Sequence, residues 1–504
     1  MGARWQGYPA QAHPKERESV ARKSLVAASI PLLIAALCGA TAPALASNQL
    51  PDIGTAGVVA LPIEQEVRYG DAFMRFARAG LPVIDDPVLS EYLDSIGQRL
   101  LANADGVRFP FTFFLVNDSS INAAAFLGGR VKVHTGLFLY ADNESELASV
   151  LAHEITHVTQ RHIARYLEAQ ASNTPLTLAG LVGSIALAVI NPTAGIAALQ
   201  TTLGLSMQSA INYTRDNEFE ADRIGMKTLY DAGFEPMGMA NFFQKLAAEY
   251  RYTSKPPEML LTHPLPETRI SEARARAASY QARRVPPSLD FLMAKARIQV
   301  RYGNESADGM LTYFDARLAK GDYGLKDAAL YGKALALVQL KRYDEADVIM
   351  KELASRHPED LFVIDTQTDI DMAKGRSQEA IARLKSAQRR MPDNEVVIIN
   401  LANALLESGQ TKQAIALLDP YVRAHGDNSL AWSMLSDAYR KAGRMTDLHL
   451  ARAEQLALRG DYQAAIDEMV VGRGTTSDKL TLARIEARIA QLEQAQKELE
   501  SLKR

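Results

Sequence analysis

Between Ser149 and His162 the chain reads S-V-L-A-H-E-I-T-H-V-T-Q-R-H, with His153 and His157 four residues apart and Glu154 beside the first. On an α-helix, positions i and i+4 share a face, so two imidazoles can address one metal ion. Glu154 is turned about 100° from His153 and can face an open position of that ion. There a carboxylate can take a proton from water and later deliver it to the leaving amine of a cut peptide bond. His-Glu-x-x-His is the spacing that this chemistry requires.

Two histidines leave a tetrahedral ion short of a third protein ligand. None follows at the H-E-x-x-H-x-x-G-x-x-H spacing, because Gln160 and Ile163 stand where Gly and His would be needed. The later run R-D-N-E-F-E-A-D, Arg215 to Asp222, offers a carboxylate instead. Glu218 and Asp222 are again i and i+4, so Glu218 can complete a His2Glu set. Asp222, one turn on, can accept the outer N–H of a ligating histidine and fix its tautomer. Glu220 lies between them and points away from their shared face. Neither spacing nor motif recruits His134 or His162, and both are expected at the surface.

These residues need elements to hold them. Asn143, with Glu146 three residues on, is an N-cap and capping box that opens the histidine helix. Upstream, "EQEVRYGDAFMRFARAG" and "DPVLSEYLDSIGQRLLANA" carry helical periodicity, and a β-rich run begins at Phe109. Arg130 to His134 alternates valine with polar residues, the pattern of a half-exposed strand. If Gly129 to His134 is an unpaired edge, it can hold an extended substrate by strand addition. Residues 176–207 are the most apolar part of the chain after the leader, divided by Asn191-Pro192 into pieces too short to cross a bilayer. They are expected to form core helices or a lid over the site, whose deletion should raise cleavage of an unfolded substrate. Whether they also touch a membrane from one side is left open.

The first residues read as an address. Arg22-Lys23 precede an apolar run ending in Ala44-Leu45-Ala46, which predicts a secretory signal over 1–46, cut after Ala46. Residues 1–46 carry five Lys/Arg and two Asp/Glu, so their removal moves the formal charge from −3 to −6. A mildly acidic chain without a basic stripe argues against nucleic acid as a partner. Cys38 is the only cysteine, so the remainder can form neither disulfides nor thiolate metal sites.

Past "RRVPPS", Arg283 to Ser288, the pattern changes. Gly375, Gly409 and Gly443 are 34 residues apart, and Ala346, Ala380 and Ala414 keep the same period. A helix-turn-helix unit of that length is the tetratricopeptide period. "AKARIQVRYGNESADGM", from 294 to 310, reads as an early degenerate unit, and the last helix, with Ile485, Ile489, Leu492 and Leu499, as a cap.

The three phrases "HEITH", "TRDNEFEAD" and "THPLPETR", in that order, resemble the M48 peptidases, a gluzincin family of zinc endopeptidases. The resemblance spans roughly residues 65–280. With the leader and the repeats it points to the family's periplasmic branch. It implies a mostly α chain: a signal peptide (1–46), an α+β gluzincin-type metallopeptidase domain (47–284) and an α-solenoid of tetratricopeptide repeats (288–504). By that resemblance His153, His157 and Glu218 bind one Zn2+ per chain, Glu154 is the general base and Asp222 supports a ligand. His263, on a loop stiffened by Pro264 and Pro266, would stabilise the oxyanion or fill the metal's fourth position and keep the enzyme latent. Arg269 is expected to be structural. The branch implies a periplasmic protein acting in outer-membrane quality control. Its partners would be unfolded or misassembled outer-membrane proteins and their assembly machinery, met through the solenoid's concave face. The rival reading is a chaperone or assembly scaffold whose peptidase activity is latent or marginal.

Overall fold

A computed structural model describes residues 61–170, 207–252 and 258–501. The expected leader lies outside them, as does the apolar insert apart from its final residue. The described residues belong to one compact unit, Gly54–Arg504. None of their helices is long and apolar enough to cross a membrane.

Two helices come first, α1 (Ile63–Gly80) and α2 (Pro87–Leu101). Asp86 caps α2, its Oδ1 accepting from the backbone N–H of Val88 and Leu89, with Pro87 at the first helical position. Three short strands follow: β1 (Thr112–Val116), β2 (Ala123–Phe126) and β3 (Arg130–His134). Their spatial order is β1-β3-β2, with β3 parallel to β1 and antiparallel to β2. A 3-10 turn at Leu127–Gly129 links β2 to β3, with Gly128 and Gly129 at φ 69° and 74°. A Cβ on Gly129 would also come within 2.8 Å of the Pro110 carbonyl, so the turn admits only glycine there.

This order corrects the expected edge. β3 is the middle strand, paired on both sides, and β1 and β2 are the outer ones. The alternation in Arg130–His134 is present, but its polar side is covered too: Lys132 is 1% exposed and His134 3%. Val131 and Val133 face the main core, while α1 and the start of α5 (His162–Gln170) close the opposite face around Phe73, Phe114 and Phe126. His134 is therefore not a surface residue. Its Nδ1 lies 2.9 Å from Ser120 Oγ, and burial, with Lys132 near, pushes the ring down to about 4.

α3 (Thr135–Tyr140) leads to α4 (Glu144–Thr159), the histidine helix, which is buried along nearly its whole length. Asn143 caps it as expected, accepting from Glu146 N–H at 3.0 Å. The Glu146 carboxylate reaches back one residue further than a capping box would, to Asp142 N–H at 2.9 Å. α6 (Met207–Asp231) packs along α4, and Gly225 permits the approach, since a Cβ there would lie 3.1 Å from the Ala152 carbonyl. α7 (Met237–Tyr252), α8 (Glu258–Thr262) and α9 (Glu267–Ser279) complete this half.

Antiparallel helix pairs make up the rest. α10 (Leu289–Tyr302) and α11 (Ala307–Lys320) form the degenerate first pair, then α12 (Lys326–Gln339) with α13 (Tyr343–Arg356), and α14 (Leu361–Ala373) with α15 (Ser377–Arg390). α16 (Glu395–Glu407) with α17 (Thr411–Ala424), and α18 (Ser429–Lys441) with α19 (Met445–Leu458), continue the period. α20 (Tyr462–Gly474) and the long α21 (Lys479–Ser501) end it. The chain forms neither helix nor strand through 281–288, yet the core does not break there. One apolar cluster runs from Ile84 through the histidine helix to Val396. α10, α14 and α16 lie against α2, and the last helices return to α1, where Ala72 packs with Ala453, Ile466, Ile485 and Leu499. Solenoid helices thus also hold the peptidase half.

Candidate metal centre

α4 presents His153 and His157 on one face, α6 brings Glu218 opposite, and the turn after α8 adds His263. Ligand atoms from all four lie within 4.8 Å of one another. Nε2 of His153 is 2.9 Å from Nε2 of His157, 3.4 Å from Glu218 Oε2 and 3.4 Å from His263 Nδ1. Nε2 of His157 is 3.3 Å from Glu218 Oε1, and His263 Nδ1 is 3.1 Å from the same oxygen. Atoms about 2 Å from one tetrahedral centre stand roughly 3.3 Å apart. Three nitrogens and a carboxylate at these separations fit a borderline divalent ion.

The outer sides of the ligands are braced. His153 Nδ1 is 3.0 Å from Asp222 Oδ1, the pairing expected from their spacing. Arg269, 2% exposed, grips both oxygens of Asp222 at 2.7 and 2.8 Å and places Nη1 2.7 Å from Glu218 Oε2. Nη1 also donates to the Pro264 carbonyl at 2.7 Å, which ties the His263 turn to the same guanidinium. Burial raises Glu218, but His263 and Arg269 outweigh it and hold the carboxyl well below the usual range. Burial pushes His157 down to about 4, which keeps it neutral, the form that ligates. For His153 burial is outweighed by Asp222 and Glu218, which raise it to about 10, so a cation bound there displaces a proton.

Glu154 divides its two oxygens. Oε2 accepts from Ala125 N–H at 2.8 Å, an amide of the outer strand β2. Oε1 is buried, 3.4 Å from His263 Nε2, and has no hydrogen-bond partner among the described residues. An orphaned carboxylate oxygen beside a cluster of ligand atoms is what a metal with a water to be deprotonated would engage.

A second histidine was misplaced by sequence reasoning. His162 is 3% exposed, not at the surface, and its Nδ1 lies 2.8 Å from Nδ1 of His157. Glu220, pointing away from the Glu218 face as expected, meets His162 Nε2 at 3.1 Å and Arg165 Nη1 at 2.9 Å. No spacing rule could have shown this, because the helix breaks between His157 and His162.

Residues 87–277 match the family model "Peptidase family M48", and residues 371–438 match "Tetratricopeptide repeat". A "Putative beta-barrel assembly-enhancing protease" of Vibrio cholerae is 52% identical over 342 residues, covering 67% of this chain and 70% of that one. The chain belongs to peptidase family M48. The "Beta-barrel assembly-enhancing protease" of Escherichia coli O157:H7 is 46% identical over 365 residues, 72% of this chain and 74% of its own. "Metalloprotease LoiP" of Escherichia coli K12 is 28% identical over 206 residues, 38% of this chain and 73% of its own. The chain is a metalloendopeptidase with a tetratricopeptide array; the family implies a metal ion, and His153, His157, Glu218 and His263 form a cluster that could hold one.

Proposed function

We propose that this is an exported, periplasmic zinc metalloendopeptidase that hydrolyses misfolded or misassembled outer-membrane proteins. The observation that carries the reading is the convergence of His153, His157, Glu218 and His263 with Glu154 aimed at them. His153, His157 and Glu218 would hold one zinc ion per chain, with Asp222 fixing His153. When bound, zinc polarises the scissile carbonyl and makes water acidic enough to attack at neutral pH. Glu154 takes the proton of the attacking water on Oε1 and passes it to the leaving amine, while Ala125 N–H fixes the orientation of the carboxyl through Oε2. Ala125 donates away from β3, so the edge that a substrate strand could join is the outer edge of β2, next to Glu154. Addition there reads backbone more than side chains, which suits a protease for unfolded chains.

The relatives' names support action in β-barrel assembly, and the array supports recruitment of substrates or assembly machinery through surfaces that do not hold the peptidase half. The position of His263 favours a resting state. Its Nδ1 sits among the ligand atoms and its Nε2 faces Glu154, so it stands where a substrate carbonyl must enter. A scaffold with latent peptidase activity is the second reading that this favours.

Zinc content and casein cleavage of the exported chain, beside Glu154→Gln and His263→Ala, test the reading. We expect one zinc per chain and a loss of about 100-fold or more in Glu154→Gln with zinc retained. His263→Ala should raise cleavage if the ring closes the site, and lower it if the ring stabilises the oxyanion. Absence of zinc from the wild type would sink the centre. Full rescue of a barrier-defective deletion strain by Glu154→Gln would leave the scaffold reading.

A further inference from the structure

We propose that His162, Glu220 and Arg165 form a directional hydrogen-bond chain that positions His157 as a metal ligand. The inference rests on the zinc-centre reading above. His153 is braced from behind by a carboxylate, Asp222, itself held by Arg269. His157 also ends at a carboxylate held by an arginine, but an imidazole is inserted between them. His157 Nδ1 is 2.8 Å from His162 Nδ1, His162 Nε2 is 3.1 Å from Glu220 Oε2, and the same oxygen is 2.9 Å from Arg165 Nη1.

The direction of the chain follows from the two ends. His157 turns Nε2 to the cluster, so a neutral, ligating His157 carries its proton on Nδ1 and donates it. His162 must then accept at Nδ1, carry its own proton on Nε2 and donate to Glu220. Glu220 can only accept when ionised, and Arg165 can only donate. Every group has one role consistent with its neighbours. Reversing any link would set two donors or two acceptors against each other.

The backbone is bent to make the chain. On a continuous helix, residue i+5 lies about 140° around from i, too far for His162 to stack behind His157. The helix stops at Thr159, and Arg161 adopts φ 54°, a left-handed conformation that disfavours a residue with a Cβ. Arg161 is 3% exposed and its guanidinium pairs with buried Glu66 of α1 at 2.6 Å. This ion pair fixes a strained turn whose visible result is the return of the His162 ring to His157.

The test uses the exported chain and metal ions alone. Gln at position 162 retains an acceptor and a donor and can keep both links, whereas Leu keeps neither. We expect His162→Leu to weaken zinc binding, measured by competition with a chelator, about 10- to 100-fold, and His162→Gln to stay within a few-fold of wild type. In the cobalt(II)-substituted protein the visible d–d bands should shift in His162→Leu and return towards wild type in His162→Gln. Glu220→Ala, at a partly exposed position that folding tolerates better, should weaken zinc in the same direction by a smaller factor, even if His162→Leu fails to fold. Wild-type zinc affinity in Glu220→Ala and in a folded His162→Leu would overturn the proposal. So would a His162→Gln variant as weak as His162→Leu, because shape alone would then explain the residue.

Discussion

Arg297 Nε lies 2.7 Å from Asp86 Oδ2, joining the first repeat helix to the cap of α2. Asp86 thus serves two ends, its other oxygen capping α2. Arg297 goes on to Asp365 Oδ2 at 2.7 Å and to the Tyr331 hydroxyl at 3.0 Å, while Tyr302 donates to Asp86 at 3.0 Å. One guanidinium, 1% exposed, therefore gathers α2, α10, α12 and α14. Its substitution leaves two buried carboxylates with the longer contact of Arg301, 3.8 Å from each, and neutral donors, a change that costs up to about 3–5 kcal/mol. Arg297→Ala should lower the free energy of unfolding by that much and move the denaturant midpoint down accordingly. Because the core is shared, far-UV circular dichroism and a peptidase-side probe should report the same midpoint in the wild type. Two well-separated wild-type transitions would contradict a common core.

The repeats offer a smaller test of what a turn demands. Gly375, Gly409 and Gly443 all have φ between 71° and 75°, and a Cβ on any of them would meet nothing within 4 Å. Conformation alone selects glycine there, so Gly409→Ala should cost about 1 kcal/mol. Lys341, 34 residues before Gly375, takes the same turn at φ 60°. Lys341→Gly should therefore stabilise the chain, by up to about 1 kcal/mol less the added freedom of the unfolded state. Thermal melts of the two variants should move in opposite directions.

Lys341 also shows what a residue type conceals. The 34-residue period was readable from Gly375, Gly409 and Gly443, and Ala346 carried it back one unit, but the left-handed turn of that unit was hidden because a lysine fills it. His153, His157, Glu218 and Asp222 were readable because a helix fixes what i and i+4 can share. Neither the middle position of β3 nor the covering of its polar side is encoded in its own alternation. Both depend on β2 and α1, elsewhere in the chain. His162 was hidden for a related reason, since its place depends on a break at Arg161 that its residue type disfavours. The return of α21 to α1 is set by the curvature of the whole array, which no local window contains.

Glu395 opens α16 where the array meets α2. Burial, with Glu91, Asp427 and Asp85 near, raises it to about 7 despite a 2.7 Å hydrogen bond from Asn428. The folded state therefore holds a proton that the unfolded state releases near pH 4.5. Between about pH 4.5 and 7 the native form binds more protons, so stability falls as pH rises. Glu395→Gln keeps the acceptor for Asn428 and removes the charge. It should raise the melting temperature at pH 8, by a few degrees, and match wild type near pH 4.5. An equal shift at both pH values would mean that the substitution acts through packing instead.

Metal removal should be felt beyond activity. Without a cation the centre leaves Glu218, His153, His157 and His263 to satisfy one another at separations suited to coordination. A ligand that binds only the folded chain stabilises it by about 4 kcal/mol at a free concentration 1,000 times its dissociation constant. Dialysis against EDTA should therefore lower the melting temperature, and added zinc should restore it in a concentration-dependent way. In Glu218→Gln the EDTA effect should shrink, because the charge that draws the cation is gone while the side chain's shape is kept. Arg269 sharpens the test: once Glu218 is neutral it still has both oxygens of Asp222 to hold, so the fold should survive the substitution. A Glu218→Gln variant that kept the full zinc-dependent rise would remove Glu218 from the ligand set and leave the three histidines to hold the ion.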